Sequence, residues 1–371
     1  MNNKQSTVLI IAMGISAVPA WSQARNIILF TADGVGVTSL NAASIFGYGK
    51  PRALYVQSMP YMALTDTSSA KEWFSDEAAV STAWATGKKT ANGIRSESVS
   101  ADGEKLKTIL EYAEEHGLST GVVTDNDESS VSAAALSAFY AHSHLSEAST
   151  AGETFLQLLA MKRGPDVVIG PGRKIITGQV SKTGRDLAAE IRAKGYSFVD
   201  SVDAISKLDP STKRVIALTD NKEYPGAFDA KDPFDLDHAI DQAVAVLRRN
   251  PKGFILIANS VCHTLFAEKT LPLIVSYDNT IRRISEQNKQ DTLVLFAGSR
   301  GQNMRIIGEN LDVTSRSADR EKIIFATVNQ GRHTAEEVPV LATGPGSERV
   351  NGYVPNTEVF HYMMAGLGWK P

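Results

Sequence analysis

Short apolar runs alternate along the chain with stretches whose apolar residues recur every three or four positions. The runs Asn-Ile-Ile-Leu-Phe (26–30), Gly-Val-Val-Thr (121–124), Asp-Val-Val-Ile (166–169), Phe-Ile-Leu-Ile (254–257) and Thr-Leu-Val-Leu-Phe (292–296), with a last one at 338–342, read as buried strands. Between them, Leu106, Ile109, Leu110 and Ala113 mark a helix that Gly117 closes. Leu236, Ala239, Ile240, Ala243 and Leu247 mark another, broken by Pro251 and Gly253, and 273–284 is again helical. Repeated strand–helix–strand units with wholly apolar strands predict an α/β fold: a mainly parallel sheet covered on both faces. The segment 175–235 lacks this regularity and is expected to decorate the domain. In such folds ligands bind beyond the carboxyl ends of the strands. Asp33, Ser299 and the residues after Ile257 lie at such ends, which makes them the first candidates for chemistry.

The N-terminus departs from this pattern. Lys4 precedes an apolar run at 8–20 that is too short to span a bilayer, and Ser22 and Ala24 are the small residues a signal peptidase accepts. Residues 1–24 are expected to be a cleaved export signal, with an uncleaved anchor as the other reading. Residues 25–371 are then expected to be a single domain, periplasmic or secreted. No later run approaches the roughly 20 apolar residues of a membrane helix.

Composition narrows the function. Thirty-eight Lys and Arg against 41 Asp and Glu leave a net charge of −3, which excludes the broad positive field of a duplex nucleic-acid binder. One cysteine, Cys262, rules out an intrachain disulfide and a cysteine-based zinc cluster. Only seven histidines are present, few for a polynuclear metal site.

Several longer motifs then carry a resemblance. Residues 26–36 (Asn-Ile-Ile-Leu-Phe-Thr-Ala-Asp-Gly-Val-Gly) resemble the opening strand of alkaline phosphatases. So do Ser-Thr-Ala-Trp-Ala-Thr-Gly at 81–87 with Lys89 and Thr90, and Phe-Tyr-Ala-His at 139–142. Gly-Arg-His-Thr-Ala-Glu-Glu-Val-Pro-Val at 331–340, Gly-Pro-Gly at 344–346 and Asn-Thr-Glu-Val-Phe-His at 356–361 continue the series in order. The resemblance implies a three-layer α/β/α sandwich, compact and without large insertions. It implies two zinc ions and a magnesium ion, a serine nucleophile that forms a phosphoseryl intermediate, and an arginine that clamps the phosphate. A homodimer is implied by resemblance only.

Against that pattern the chemistry-bearing positions are substituted. Asp33 stands at the bridging metal aspartate and Asp76 at the acidic residue before the nucleophile, but the nucleophile position itself is Glu77. Ser81 lies a helical turn further on. The magnesium segment corresponds to Ser130–Ala134, where Ser132 is a weak ligand, and the phosphate clamp falls near Ser146. The strand-end glutamate is Asn259, the zinc aspartate is Thr264, and Glu268 falls at a histidine position. Ser299 and Arg300 replace an Asp-His pair, so His333 alone remains among the zinc histidines. Zinc sites need three or four protein ligands, and Asp33 and His333 would serve different metals.

Each of these residues has a plainer reading. Asp33 is either a strand-end acceptor of backbone N–H groups or a residual metal ligand, and His333 either a structural or a metal-binding histidine. Cys262 and His263 read as packing residues and Glu268 as a surface carboxylate. His142 and His144 are expected to face opposite ways on a strand. Arg300 is expected to pair with Asp33 and Glu77, which would otherwise form a like-charge cluster with Asp76. The reading is a pseudophosphatase without a required metal, kept as a scaffold for a partner or a phosphate-containing ligand. The alternative is an active metal-dependent phosphomonoesterase with a divergent site.

Overall fold

The apolar run at 26–30 continues to Asp33 as strand β1 (Asn26–Asp33), buried along its whole length. In the computed structural model, which describes residues 22–93, 104–126, 134–142, 150–220, 233–262, 267–301, 304–307, 324–327 and 334–370, β1 lies near the middle of a ten-stranded sheet. The other strands are β2 (Tyr61–Thr65), β3 (Ser119–Thr124), β4 (Val167–Pro171), β5 (Ser197–Val199), β6 (Val215–Thr219), β7 (Phe254–Val261) and β8 (Thr292–Gly298), with β11 (Val338–Thr343) and β12 (Asn351–Val354). A separate two-stranded ribbon pairs β9 (Met304–Ile307) with β10 (Ile324–Thr327). The order across the large sheet is β12-β2-β11-β8-β1-β7-β3-β4-β6-β5. From β8 to β5 every pairing is parallel, and β11 alone runs against its neighbours β2 and β8.

Side-chain alternation divides the core into two layers. Ile27 and Leu29 of β1 join one cluster, whereas Ile28, Phe30 and Ala32 join the other. On the first face pack α2 (Glu77–Thr86), α3 (Ile109–Glu115), α4 (Ala134–Ser137), α5 (Ala151–Ala160), α6 (Arg173–Ser181), α7 (Leu187–Ala193) and α10 (Glu358–Gly366). On the second pack α1 (Val37–Tyr48), α8 (Leu236–Leu247) and α9 (Ala267–Asn288). This is the expected α/β/α sandwich. Local signals act where the pattern placed them: Thr108 and Glu111 form a reciprocal capping box at the start of α3, and Gly117 takes a left-handed φ of 77° just beyond its end.

The segment 175–235 differs from the expectation. It carries α7, β5 and β6, and so completes one edge of the sheet instead of decorating it. The run Val-Ile-Ala-Leu-Thr of β6 is fully buried between β4 and β5. Residues 1–21 lie outside the described residues.

Candidate active site

The carboxyl ends of β1, β7, β8 and β3 lie side by side, because β1 pairs in register with both β7 and β8, and β7 with β3. Asp33 closes β1, Ser299 and Arg300 follow β8, Asn259 lies on β7, and Asp125 follows β3. The N-terminus of α2 delivers Glu77 to the same place.

Arg300 joins these elements. Its Nη2 donates to Asp33 Oδ2 and to Glu77 Oε1, both at 2.9 Å. Its side chain is only 9% exposed, against 4% for Asp33 and 34% for Glu77. The second carboxylate oxygen of Asp33 accepts the Ser299 hydroxyl at 2.7 Å. The expected pairing of Arg300 with Asp33 and Glu77 is therefore formed. Glu77 sits in the first turn of α2, where the partial positive charge of the helix end favours a carboxylate.

Asn259 is buried and bridges two strands. Its Nδ2 donates to Thr31 Oγ1 at 3.0 Å, and its Oδ1 accepts from Thr124 Oγ1 at 3.0 Å. A neutral amide thus occupies a strand end between two hydroxyls and brings no charge. Asp125 receives Ser260 Oγ at 2.6 Å and the Val261 N–H at 3.0 Å, which ties β3 to β7. Neither the Asp125 tie nor the Thr31–Asn259–Thr124 bridge is visible in the sequence, because both depend on which strands are neighbours. Cys262 is a buried packing residue: its N–H donates to the Asp33 carbonyl, and burial pushes its thiol pKa up.

Asp76 serves α2. Its Oδ1 accepts the Ala79 N–H at 2.7 Å as an N-cap, and its Oδ2 accepts the Gly93 N–H at 2.6 Å. Asp just ahead of an Ala-rich run is the cap signal that reveals this role. Ser81 is buried within α2, a turn beyond Glu77.

Glu336 is a further carboxylate close to the site, and the motifs do not single it out. Its Oε1 lies over Gly36 and Gly301, and a Cβ on Gly301 would meet its Cγ and Cδ as well. Burial raises the Glu336 pKa and the like charge of Glu337 adds to it, against a hydrogen bond from Thr334.

His142 corrects one expectation. It lies in an irregular segment and not on a strand, with Nε2 3.0 Å from Glu111 Oε2. Glu268 falls in the first turn of α9. Ser132, His144, Ser146, His263, Thr264 and His333 lie outside the described residues. Among the described residues, no three or more His, Cys, Asp and Glu side chains gather as a metal-holding group.

The chain is similar to known proteins over most of its length. The family model described as alkaline phosphatase matches residues 24–295. Alkaline phosphatase of Escherichia coli is 24% identical, over 94% of this chain and 87% of its own length. Streptomycin-6-phosphate phosphatase of Streptomyces griseus is 26% identical, over 94% of this chain and 91% of its own. The human tissue-nonspecific isozyme of alkaline phosphatase is 27% identical, over 91% and 74%. Among solved structures, alkaline phosphatase from the Antarctic bacterium TAB5 superposes with a TM-score of 0.77 at 21% identity, covering 95% of this chain and all of that one. The Thermus thermophilus alkaline phosphatase gives 0.77 at 20% identity, covering 98% and 96%. With the motifs in order, the sandwich in place and the family model matched over well more than half of its length, the chain belongs to the alkaline phosphatase family.

Proposed function

We propose that this family member is an exported pseudophosphatase, a phosphatase scaffold that has lost phosphoester hydrolysis and is kept for binding. The observation that carries the reading is the Asp33–Arg300–Glu77 group. Glu77 has no hydroxyl to attack phosphorus, and Arg300 puts a fixed cation where the family resemblance expects a metal ligand.

The described residues do not fit the family's two zinc ions and magnesium. A guanidinium has no lone pair to offer a metal. The Ser299 hydroxyl is committed to Asp33, and the Asn259 amide to Thr31 and Thr124. A neutral amide between two threonines is a poor exchange for a carboxylate in a site for a hard divalent cation. These residues support no reaction step through those metals.

The same group also bears on the ligand. Two carboxylates and one guanidinium sum to one negative charge, which repels a phosphate dianion held within a few ångströms. A protein partner or a second copy of the chain suits the scaffold better than a phosphate ligand in this pocket. Residues 1–24 are proposed as an export signal, with a periplasmic or secreted mature protein at 25–371. None of the described helices is long and apolar enough to cross a membrane.

The test is hydrolysis of a chromogenic phosphate monoester at alkaline pH, with zinc and magnesium supplied. The expected result is no turnover above buffer. Sustained turnover that co-purifies with the protein would restore the alternative, an active phosphomonoesterase with ligands drawn from other positions.

A further inference from the structure

We infer that the site carries its own counter-ion, with Arg300 in the place of a bound cation between the carboxylates of Asp33 and Glu77. This deepens the reading above and concerns the same site, but its test does not depend on activity.

The geometry has three parts. Arg300 lies almost entirely out of solvent, and one of its nitrogens reaches carboxylates from two separate elements, the end of β1 and the start of α2. Asp33 is held from its other side by Ser299, so its orientation is fixed toward Arg300. Glu77 occupies the first turn of α2, which Asp76 caps and where the partial positive charge of the helix end favours a carboxylate. Buried carboxylates need a cation, supplied either by a bound ion or by a side chain. Here the side chain supplies it, and its covalent attachment removes any dependence on ions in solution.

Two consequences follow. The folded protein should be indifferent to zinc, to chelators and to inorganic phosphate. Removing the guanidinium should leave Asp33 and Glu77 facing each other across a small cavity, which then requires a cation from solution. Removing one partner of a buried ion pair is far more damaging than removing the pair, because the remaining charge is left uncompensated.

The experiment is thermal unfolding of the wild type, Arg300→Ala and the double variant Arg300→Ala/Asp33→Asn. Each is measured with EDTA, with millimolar zinc chloride, with millimolar guanidinium chloride against matched sodium chloride, and with inorganic phosphate. The wild-type midpoint should not move in any of these. Arg300→Ala should melt several degrees lower, and guanidinium or zinc, but not sodium, should restore part of the loss. The double variant should melt above Arg300→Ala and respond less to added cation. The inference is overturned by a wild-type midpoint that rises with zinc or falls with EDTA, by an Arg300→Ala protein that melts like the wild type, or by a deficit that neither cation relieves. If Arg300→Ala does not fold, its refolding yield with guanidinium present should exceed that with sodium, and equal yields would overturn the inference. Hydrolysis by the wild type would contradict the pseudophosphatase reading and leave these shifts unexplained by it, so the two failures are distinguishable.

Discussion

Asp33, Glu77 and Arg300 tie the end of β1, the start of α2 and the segment after β8 together through one guanidinium. Glu77 in place of a hydroxyl would add a second carboxylate beside Asp33, and Arg300 offsets that charge at 2.9 Å from each. Asn259 forms a neutral bridge between Thr31 and Thr124. These contacts yield a prediction at this scale. Glu77→Ser restores a hydroxyl at the helix start but leaves Arg300, Ser299, Asn259 and Thr264 in place, so the variant should show no phosphomonoesterase activity in a chromogenic assay with zinc and magnesium. Activity from that change alone would mean that the metals are held by residues other than those substituted. The Arg300 pairing is reached in the sequence only through the family resemblance, which sets Asp33 at a strand end, Asp76 and Glu77 at a helix start and Arg300 in one place. The Glu336 contact is not legible, since the close approach to Gly36 and Gly301 joins segments far apart in the chain.

Among the elements, α2 matters most to the site because it sets where Glu77 stands. Its start is fixed twice by Asp76, which caps the helix through Ala79 and ties the segment ending at Gly93 back to it. Asp76→Ala should therefore cost about 1–2 kcal/mol, the upper end of an N-cap loss, measured as a lower denaturant midpoint with an unchanged slope. Asp76→Asn, which keeps a cap acceptor, should recover most of the loss. An Asp76→Ala variant as stable as the wild type would show that the cap does not hold the helix start. The strands show where pattern reading succeeds and where it fails. The short apolar runs between turn signals correspond to β1, β3, β4, β7, β8 and β11, with boundaries moved by a few residues. The three-residue β5 is too short to display an alternation, whereas the run Val-Ile-Ala-Leu of β6 is as legible as that of β4, and treating 175–235 as decoration overlooks it.

Across the whole molecule the parallel sheet has two unlike ends. The carboxyl end holds the ion-paired site. Near the amino end, Glu114 at the close of α3 is partly buried, and its pKa rises to about 7 from 4.5. Burial is the main cause; Arg163 and Arg214 oppose it, while Asp166 and Glu111 add to it. Proton linkage sets the sign. Below about pH 4.5 Glu114 is neutral in both folded and unfolded chains, and no stability is lost. As pH rises from there through about 7 the unfolded chain releases its proton more readily, so Glu114 subtracts up to about 2–3 kcal/mol. Glu114→Gln should remove this fall, seen as a flatter unfolding midpoint between about pH 5 and 8; an unchanged profile would show that Glu114 is solvated as an ordinary carboxylate. The sandwich and its layers are accessible from periodicity, since burial on both faces leaves a continuous apolar run. The state of the site is not accessible from fold alone, because an inherited scaffold holds substituted chemistry as readily as intact chemistry. The most direct test is the zinc and magnesium content per chain after equilibration with excess of both ions and gel filtration. A self-filled site predicts well under one tightly held zinc per chain and no phosphomonoester turnover. Two zinc ions per chain accompanied by turnover would contradict it.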